Sequence, residues 1–562
     1  MKLESLINKL ENLSRTLTRA AFLVGFFTLL SSLLGMFRDR MLADAFGAGQ
    51  ELDTYYASFR IPDFFYNTLM ASLISSAFLP ILSQYLHKPE EKNKAKNDFD
   101  FSQDTQNFVD SLVTILTFFL FAVIVLLWFF SPFLVSWIAP GFSPEQQALT
   151  ARLTRIMLLS PLFLSFSGLL GNILNLRGFF FFYSLAPVVY NLGSILAIIF
   201  LVPHFGITGL AWGIALGAFF HFSVQLVPSI LMGLKIRFRW DPTHPGLIKV
   251  LKMMLPRSLH LGVLQLNLIA VTLLASVLPV GSLSVFNFAN NLQSLPLGIF
   301  GASYAIAAFP ALSILVAKKK KARFRHEFSR AMCQILFFII PLSTLLIIFR
   351  AQVVRIVLGS GKFDWEDTVQ TLNVLGVLAI SLFAQSLNLL FIRAFFALHD
   401  AWTPLKSGVV SLLFNIVAGV GVVRYWPEIA PFLEKNAHLS GLKSPIVGLA
   451  LIYSISQIIT FIFLLAGLHQ YIKGIDISSI KRTFLKIALA TFIAGLGAQL
   501  IKWFWAIFFP LSSFLAVFGQ VFFAGLVSIA FYLFICKTLK CKELKIIYDE
   551  LPNFLKIKKN KA

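Results

Sequence analysis

Cysteine is scarce in this chain, three in 562 residues. Cys333, Cys536 and Cys541 have no metal-ligand spacing and build no disulfide framework. Also missing are a phosphate-binding glycine loop, a cluster of metal-ligating side chains and a nucleophile with partners. These absences exclude ATP hydrolysis by this chain and give no reason to expect enzymatic chemistry, a metal or a cofactor. Charge is sparse too, at 13% of residues, with 26 acidic side chains against 48 basic ones. A soluble domain covers itself with about 25–35% charged residues, so this chain lacks the means to cover one. Hydrophobic residues supply 57% of it, and the mean hydropathy is +0.79. Apolar stretches long enough to cross a bilayer recur from end to end, so the chain reads as an all-α polytopic membrane protein. The 61 Phe are read as lipid-facing and interhelical packing.

Apolar runs predict about 14 transmembrane helices, near 20–37, 59–86, 108–138, 147–176, 179–202, 207–234, 247–278, 283–317, 325–349, 367–398, 402–425, 444–472, 483–507 and 512–536. No small-residue cleavage site follows a short apolar core near the start, so the first stretch is expected to be a retained span. With the N-terminus cytoplasmic, inside loops and tails hold 35 Lys and Arg and outside loops hold nine. That asymmetry places both termini in the cytoplasm. It also accounts for the net charge of +22 without nucleic acid. The basic run from Lys318 to Arg325 and the basic C-terminal tail then face anionic lipid headgroups.

The chain repeats itself. LNLRGFFFFYSLAPVVYN, ending at Asn191, is echoed by LFIRAFFALHDAWTPLKSGVVSLLFN, ending at Asn415, with Arg177 matching Arg393. SSAFLPILS is echoed by AIAAFPALS, pairing Pro80 with Pro310. The offset of about 216–240 residues holds six spans, and an even number gives both copies one orientation. The expected organisation is a cytoplasmic amphipathic segment (1–19), an N-terminal six-helix lobe (20–240), a C-terminal six-helix lobe (241–475), two added helices (476–540) and a basic tail (541–562). Two lobes related by a parallel repeat leave a central cavity. Pro296 and Gly298, in QSLPLGIFG, are the candidate hinge.

Chemistry concentrates between Leu33 and Tyr85, where Arg38, Asp39, Arg40, Asp53, Arg60 and Asp63 lie in or beside the first two spans. An ionisable group at membrane depth costs about 2.5–3.5 kcal/mol, which calls for a water-filled cavity or a charged ligand. Adjacent residues on a helix do not face each other, so Arg38 or Arg40 is expected to pair with Asp53 or Asp63 across the two spans. For Arg60 a ligand contact and snorkelling to the interface stand as alternatives. Arg257 is read as an interfacial anchor at the cytoplasmic end of span seven. Gln265, Asn267, Gln385 and Asn388 are read as interhelical hydrogen-bonding groups, because no acid accompanies them for a cation site. Asp400, beside His399 and before Thr403, is read as a helix N-cap.

The elements LLGMFRD, FGAG, DTYYASFRIPD and SSAFLPILSQY, with FANNLQSLPLGIFGASYAIAAFPALS and RAFFALHDAWTPLK, resemble the MurJ (MviN) family of lipid II flippases in the MOP exporter superfamily. The likeness runs through residues 20–470, and fourteen spans is that family's count. It implies a bacterial inner-membrane transporter, working as a monomer by alternating access. Its cargo would be the undecaprenyl-pyrophosphate-linked muropeptide lipid II, carried outward, with a lipid-tail groove at the last two helices. Guanidinium groups suit a pyrophosphate through bidentate charge-assisted hydrogen bonds. Arg38, Asp39, Asp53 and Arg60 stand at family motif positions, with Asp39, Asp53 and Arg40 as gating groups. Other family cations are replaced here, by Ser32, by Tyr66 and Asn67 with Ala71 and Ser72, and by Asn290 and Asn291. Either Arg38, Arg60 and Arg257 suffice with the neutral donors Tyr66, Asn67, Asn290 and Asn291, or the substrate differs. The alternatives are a flippase of another undecaprenyl-linked glycan or a drug exporter of the same superfamily. A membrane enzyme acting on polyprenyl phosphates would need an acidic outside loop, and the loops at 139–147 and 426–443 offer only Glu145, Glu428 and Glu434.

Overall fold

The computed structural model describes residues 17–70, 72–73, 78–86, 101–231, 233–437, 444–472, 474, 477–511 and 513–545. Most of the expected N-terminal segment, Ala71 and most of the basic tail lie outside these. The described residues are helical, without a strand. Among the described residues twelve helices are long and apolar enough to cross a membrane, and a pair bent by 47° makes a thirteenth if taken as one span. These thirteen correspond to thirteen of the fourteen expected spans. The other, 59–86, differs: it is broken into short pieces and lies partly outside the described residues. A polar segment carrying Arg60, Pro62, Asp63 and Asn67 does not read as one straight apolar rod.

The chain divides into two compact units, 1–284 and 285–562. The first contains α1 (Leu17–Phe46), α2 (Gln50–Ser58), α3 (Arg60–Phe65), a π-helical turn (Tyr66–Met70), α4 (Leu79–Leu86), α5 (Gln103–Ile138), α6 (Pro144–Met157), α7 (Leu159–Leu176), α8 (Phe180–Phe200), α9 (Ile207–Leu231) and α10 (Pro245–Ser276). Starts are marked by side-chain caps, Ser102 on Thr105 N–H and Ser143 on Gln146 N–H. Small residues bring α8 and α9 together: a Cβ on Gly213 would lie 2.1 Å from that of Ala197, and one on Gly193 2.6 Å from the Gly217 Cα. Such close approach is how helices associate where lipid removes the hydrophobic drive. Arg155, in α6, finds its partners locally, donating to Trp128 O at 3.0 Å and Ser131 Oγ at 2.9 Å with its guanidinium over the Trp128 ring.

α11 (Ser282–Pro296) crosses the boundary between the units. The second unit continues with a π-helical turn (Leu297–Ala302), α12 (Ser303–Ala317), α13 (Lys321–Ile348), α14 (Arg350–Leu358), α15 (Trp365–Ile380), α16 (Leu382–Ala397), α17 (Trp402–Ala437), α18 (Pro445–Tyr471), α19 (Ile477–Phe508) and α20 (Phe514–Thr538). Its core is built on Phe328, Phe337, Phe391 and Phe395, and takes in Ile487, Ala490 and Ala494 of α19 and Tyr532 of α20. The two added helices are therefore part of this unit's packing. The bend between α15 and α16 is tied by polar groups: Ser381 Oγ donates to Leu378 O at 3.0 Å and accepts from Gln385 Nε2 at 3.0 Å.

Candidate functional site

The charged stretch that opens the chain's chemistry folds into a polar cluster inside the first unit. Arg38 and Asp39 lie near the end of α1, Asp53, Tyr55 and Tyr56 on α2, Arg60 and Asp63 on α3, and Tyr66 and Asn67 on the π-helical turn. Tyr190 of α8 stands within electrostatic reach of Arg38 and Asp63, and the two phenols of α2 within that of Arg38. The chain turns between α1 and α2, and Phe59, at φ −70° and ψ −24°, makes a short break between α2 and α3. Gly47, at φ 63°, makes the turn between α1 and α2.

Arg38 corrects one expectation. Its Nε and Nη2 donate to Asp39 Oδ1 at 3.1 and 2.8 Å, so the pair forms between chain neighbours and not across to Asp53 or Asp63. The long arginine side chain curls sideways over the helix surface, a reach the i,i+1 rule for short side chains does not cover. Its Nη1 lies 3.5 Å from Asn191 Oδ1, and Asn191 is held by donating to Ser31 Oγ at 3.0 Å and Ser31 O at 3.1 Å.

Arg60 is buried, and its Nε donates to Thr272 Oγ1 at 2.6 Å, tying α3 to α10. Burial against a neighbouring helix replaces the snorkelling alternative. Asp53 is also buried; its carboxylate accepts from the Gly281 and Ser284 amides, both at 2.7 Å, and from the Ser284 hydroxyl at 2.6 Å. It thereby caps the start of α11, where unsatisfied amides and the helix dipole favour a carboxylate. Gly281 has φ 88°, and a Cβ there would meet Ala48 O at 2.1 Å. A Cβ on Gly141 would likewise meet Ser276 O at 2.2 Å, and the Gly141 amide donates to Ser276 Oγ at 3.2 Å. The turns at 47–49, 139–143 and 277–281 are thus laced together at one end of this unit.

Arg40, Tyr66, Asn67 and Arg257 are half-buried in the same unit, as is Ser32. Asn290 and Asn291 lie on α11 in the second unit, where Asn290 Oδ1 accepts from Gln293 Nε2 at 3.0 Å. Pro296 ends α11 and Gly298 falls in the π-helical turn that follows, with open space where a Cβ would be. Interhelical bonding holds for Gln385, which pairs with Gln293 of α11, and for Asn388, which donates to Gln457 O of α18 at 3.1 Å. Asn267 donates to Val263 O at 3.2 Å, within its own helix. Asp400 accepts from the Trp402 and Thr403 amides at 2.9 and 3.0 Å, as an N-cap does. Among the described residues no group of three or more His, Cys, Asp or Glu is placed to hold a metal.

Tyr190, Asn191 and Thr272 are absent from the sequence-derived set. A signal for Asn191 was present, since it closes the repeated stretch that ends in the second copy at Asn415. Nothing in the sequence around Thr272 joins it to Arg60, 212 positions away.

A helical polytopic fold with buried guanidinium, carboxylate and phenol groups among its spans defines a membrane transporter. Across residues 42–519 the chain matches the family model described as Lipid II flippase MurJ, and it belongs to that family. A relative named Lipid II flippase MurJ, from Burkholderia cenocepacia, is 31% identical over 71% of this chain and 76% of its own length. A probable lipid II flippase MurJ from Buchnera aphidicola (subspecies Acyrthosiphon pisum) is 27% identical over 93% of this chain and 98% of its own. Among solved structures, a lipid II flippase MurJ in an inward closed conformation superposes with a TM-score of 0.72 at 24% identity, covering 92% of this chain and 99% of that one. An inward-facing MATE family multidrug transporter of the MOP superfamily gives 0.61 at 15% identity, covering 79% and 95%. The fold is that of this superfamily, and the chain is a multi-pass protein of the bacterial inner membrane.

Proposed function

We propose that this chain flips lipid II from the inner to the outer leaflet of the bacterial inner membrane by alternating access. The observation that carries the reading is the polar cluster on α1, α2 and α3 in a chain of the lipid II flippase MurJ family. A pyrophosphate at membrane depth needs fixed cations, and Arg38 and Arg60 supply them; Arg257, Tyr66, Asn67, Asn290 and Asn291 are the additional donors. Asp39, Arg40 and Asp53 serve as gating groups. The Asp53 bonds to the amides at the start of α11 are what such a gate would have to break. Pro296 and Gly298, beside a π-helical turn, serve as the hinge, since such turns leave the helix ladder weakened. The lobes are the six-helix units of the sequence repeat, both termini are cytoplasmic, α19 and α20 border the lipid tail, and one chain suffices.

A second reading has its own observation. Ser32, Tyr66, Asn67, Asn290 and Asn291 stand where the resemblance leads one to expect cations, and a thinner cationic site suits another undecaprenyl-linked glycan whose head group carries less negative charge. Depleting the endogenous flippase in a bacterium and expressing this chain separates the two. Restored growth with lipid II accessible from outside supports the first. Normal expression without rescue overturns it.

A further inference from the structure

The span made of α15 and α16 bends by 47° at Ser381, and nothing in its covalent chain obliges it to. Residues 365–397 contain no proline, and their one glycine, Gly376, lies five positions before the bend. A sharp kink without proline calls for side chains inserted into the helix ladder. Here the inserted groups are serines. Three consecutive carbonyls at the end of α15 each accept from a hydroxyl: Val377 O from Ser454 Oγ of α18 at 3.1 Å, Leu378 O from Ser381 Oγ at 3.0 Å, and Ala379 O from Ser343 Oγ of α13. These carbonyls belong to the last turn, which a helix end leaves without intrahelical amides. In a straight helix the same three would accept from the amides of Ser381, Leu382 and Phe383, four positions on.

Both arrangements therefore satisfy the same carbonyls. Straightening replaces hydroxyl donors by amide donors, and a helical serine that loses a distant carbonyl can turn back to the one four residues before it. One hydrogen bond exchanged for another leaves little net difference, so the two shapes lie close in free energy. A proline would have fixed the kink. The bent shape has a further support. Gln385 Nε2 donates to Ser381 Oγ at 3.0 Å and to Gln293 Oε1 of α11 at 3.3 Å, and both glutamines are buried. One residue on, Ser386 packs on Gly301 of the π-helical turn, where a Cβ would lie 2.9 Å from Ser386 Oγ. Straightening about Ser381 thus has to move the residues that hold α11 and that turn.

We propose that α15 and α16 form a reversible joint within the span. It is bent while Ser343, Ser381 and Ser454 hold the carbonyls of residues 377–379, and straight when the span's own amides take them. The joint is distinct from the hinge at Pro296 and Gly298 and does not rest on the flippase reading, because its shape is read without transport.

Spin labels at Glu366→Cys and Trp402→Cys, exposed positions at opposite ends of the span, test this by double electron–electron resonance on the full chain in lipid nanodiscs; the native cysteines are buried. Each helix has 16 residues and is about 24 Å long, so the pair reaches about 44 Å when bent by 47° and about 48 Å when straight. The wild type should show mainly the shorter distance. Ser343→Ala combined with Ser454→Ala should raise the ratio of long to short about tenfold, the size of two modest hydrogen bonds. Gln385→Leu should move the ratio in the same direction. If the serines only stabilise a permanent bend, the alanine pair lowers the unfolding temperature and leaves the distance where it was. That outcome, or a single distance common to all three chains, overturns the proposal.

Discussion

Arg38 sends two donors to one oxygen of Asp39, with Asn191 beside its remaining nitrogen. A lysine keeps the charge at this position but not the fork, so Arg38→Lys separates geometry from electrostatics. Lipid II translocation, read as externally accessible lipid II in cells, should drop about tenfold in Arg38→Lys, the equivalent of one charge-assisted hydrogen bond. If Arg38→Ala and Arg60→Ala both translocate normally, the head-group role assigned to this cluster is wrong. Asp53 invites a different experiment, because its partners are amides and a hydroxyl. Asp53→Asn leaves an acceptor but removes the charge, and should weaken the latch at the start of α11 by about 1.5–3 kcal/mol. A cysteine introduced at Ala48 should then react faster with a water-soluble maleimide than it does beside the native Asp53; an unchanged rate would remove the gating role. The residue scale is also where sequence reading ran short. The types were legible, since charged side chains in apolar segments mark themselves. Their partners were not: Arg60 meets Thr272 through helix packing, and Arg38 meets its own neighbour through a side-chain conformation that spacing rules ignore.

Glycines permit some of the close helix contacts and breaks in this chain, and they fall into two groups. Gly213 sits against Ala197 so closely that any larger side chain must separate α8 from α9. Gly213→Leu should destabilise the protein by about 1–3 kcal/mol, the usual effect of forcing bulk into a packed contact, and lower its unfolding temperature in detergent. Gly298 has no atom within 4 Å of where its Cβ would lie, and it falls in the π-helical turn after Pro296. Gly298→Ala should therefore leave the unfolding temperature unchanged, yet slow translocation if that turn is the hinge. A normal translocation rate in Gly298→Ala would take the hinge away from this position. Thirteen helical spans were readable from hydropathy, because a long apolar run in lipid has few options but a helix. The interruptions within 59–86, and the π-helical turns, were not readable in detail, since they depend on which backbone groups neighbouring helices satisfy.

At the scale of the whole molecule that interrupted segment decides the topology. Thirteen spans would put the two termini on opposite sides of the membrane, and fourteen put them on the same side. From Arg60 to Leu86 the chain has 27 residues, and a stretch of that length reaches about 40 Å at the rise of a helix, against about 30 Å of hydrocarbon. Arg60 is buried within the first unit on Thr272 and Asp63 is half-buried, so a polar and broken segment can cross with its charges held against protein. With the N-terminus in the cytoplasm the basic residues argue the same way, because 35 inside against nine outside then holds only if the segment crosses. Taken as a thirteen-span chain, every loop after residue 86 would change sides and the asymmetry would reverse. Single cysteines in intact cells test this directly. Glu51→Cys should react with a membrane-impermeant maleimide from outside, and Lys92→Cys only after the cells are opened. A fluorescent protein fused after Ala562 should glow, as it does in the cytoplasm, and a phosphatase fused there should be silent. Labelling of Lys92→Cys from outside, together with an active C-terminal phosphatase, would mean that 59–86 does not cross and that the repeat's second span is not a span in this chain.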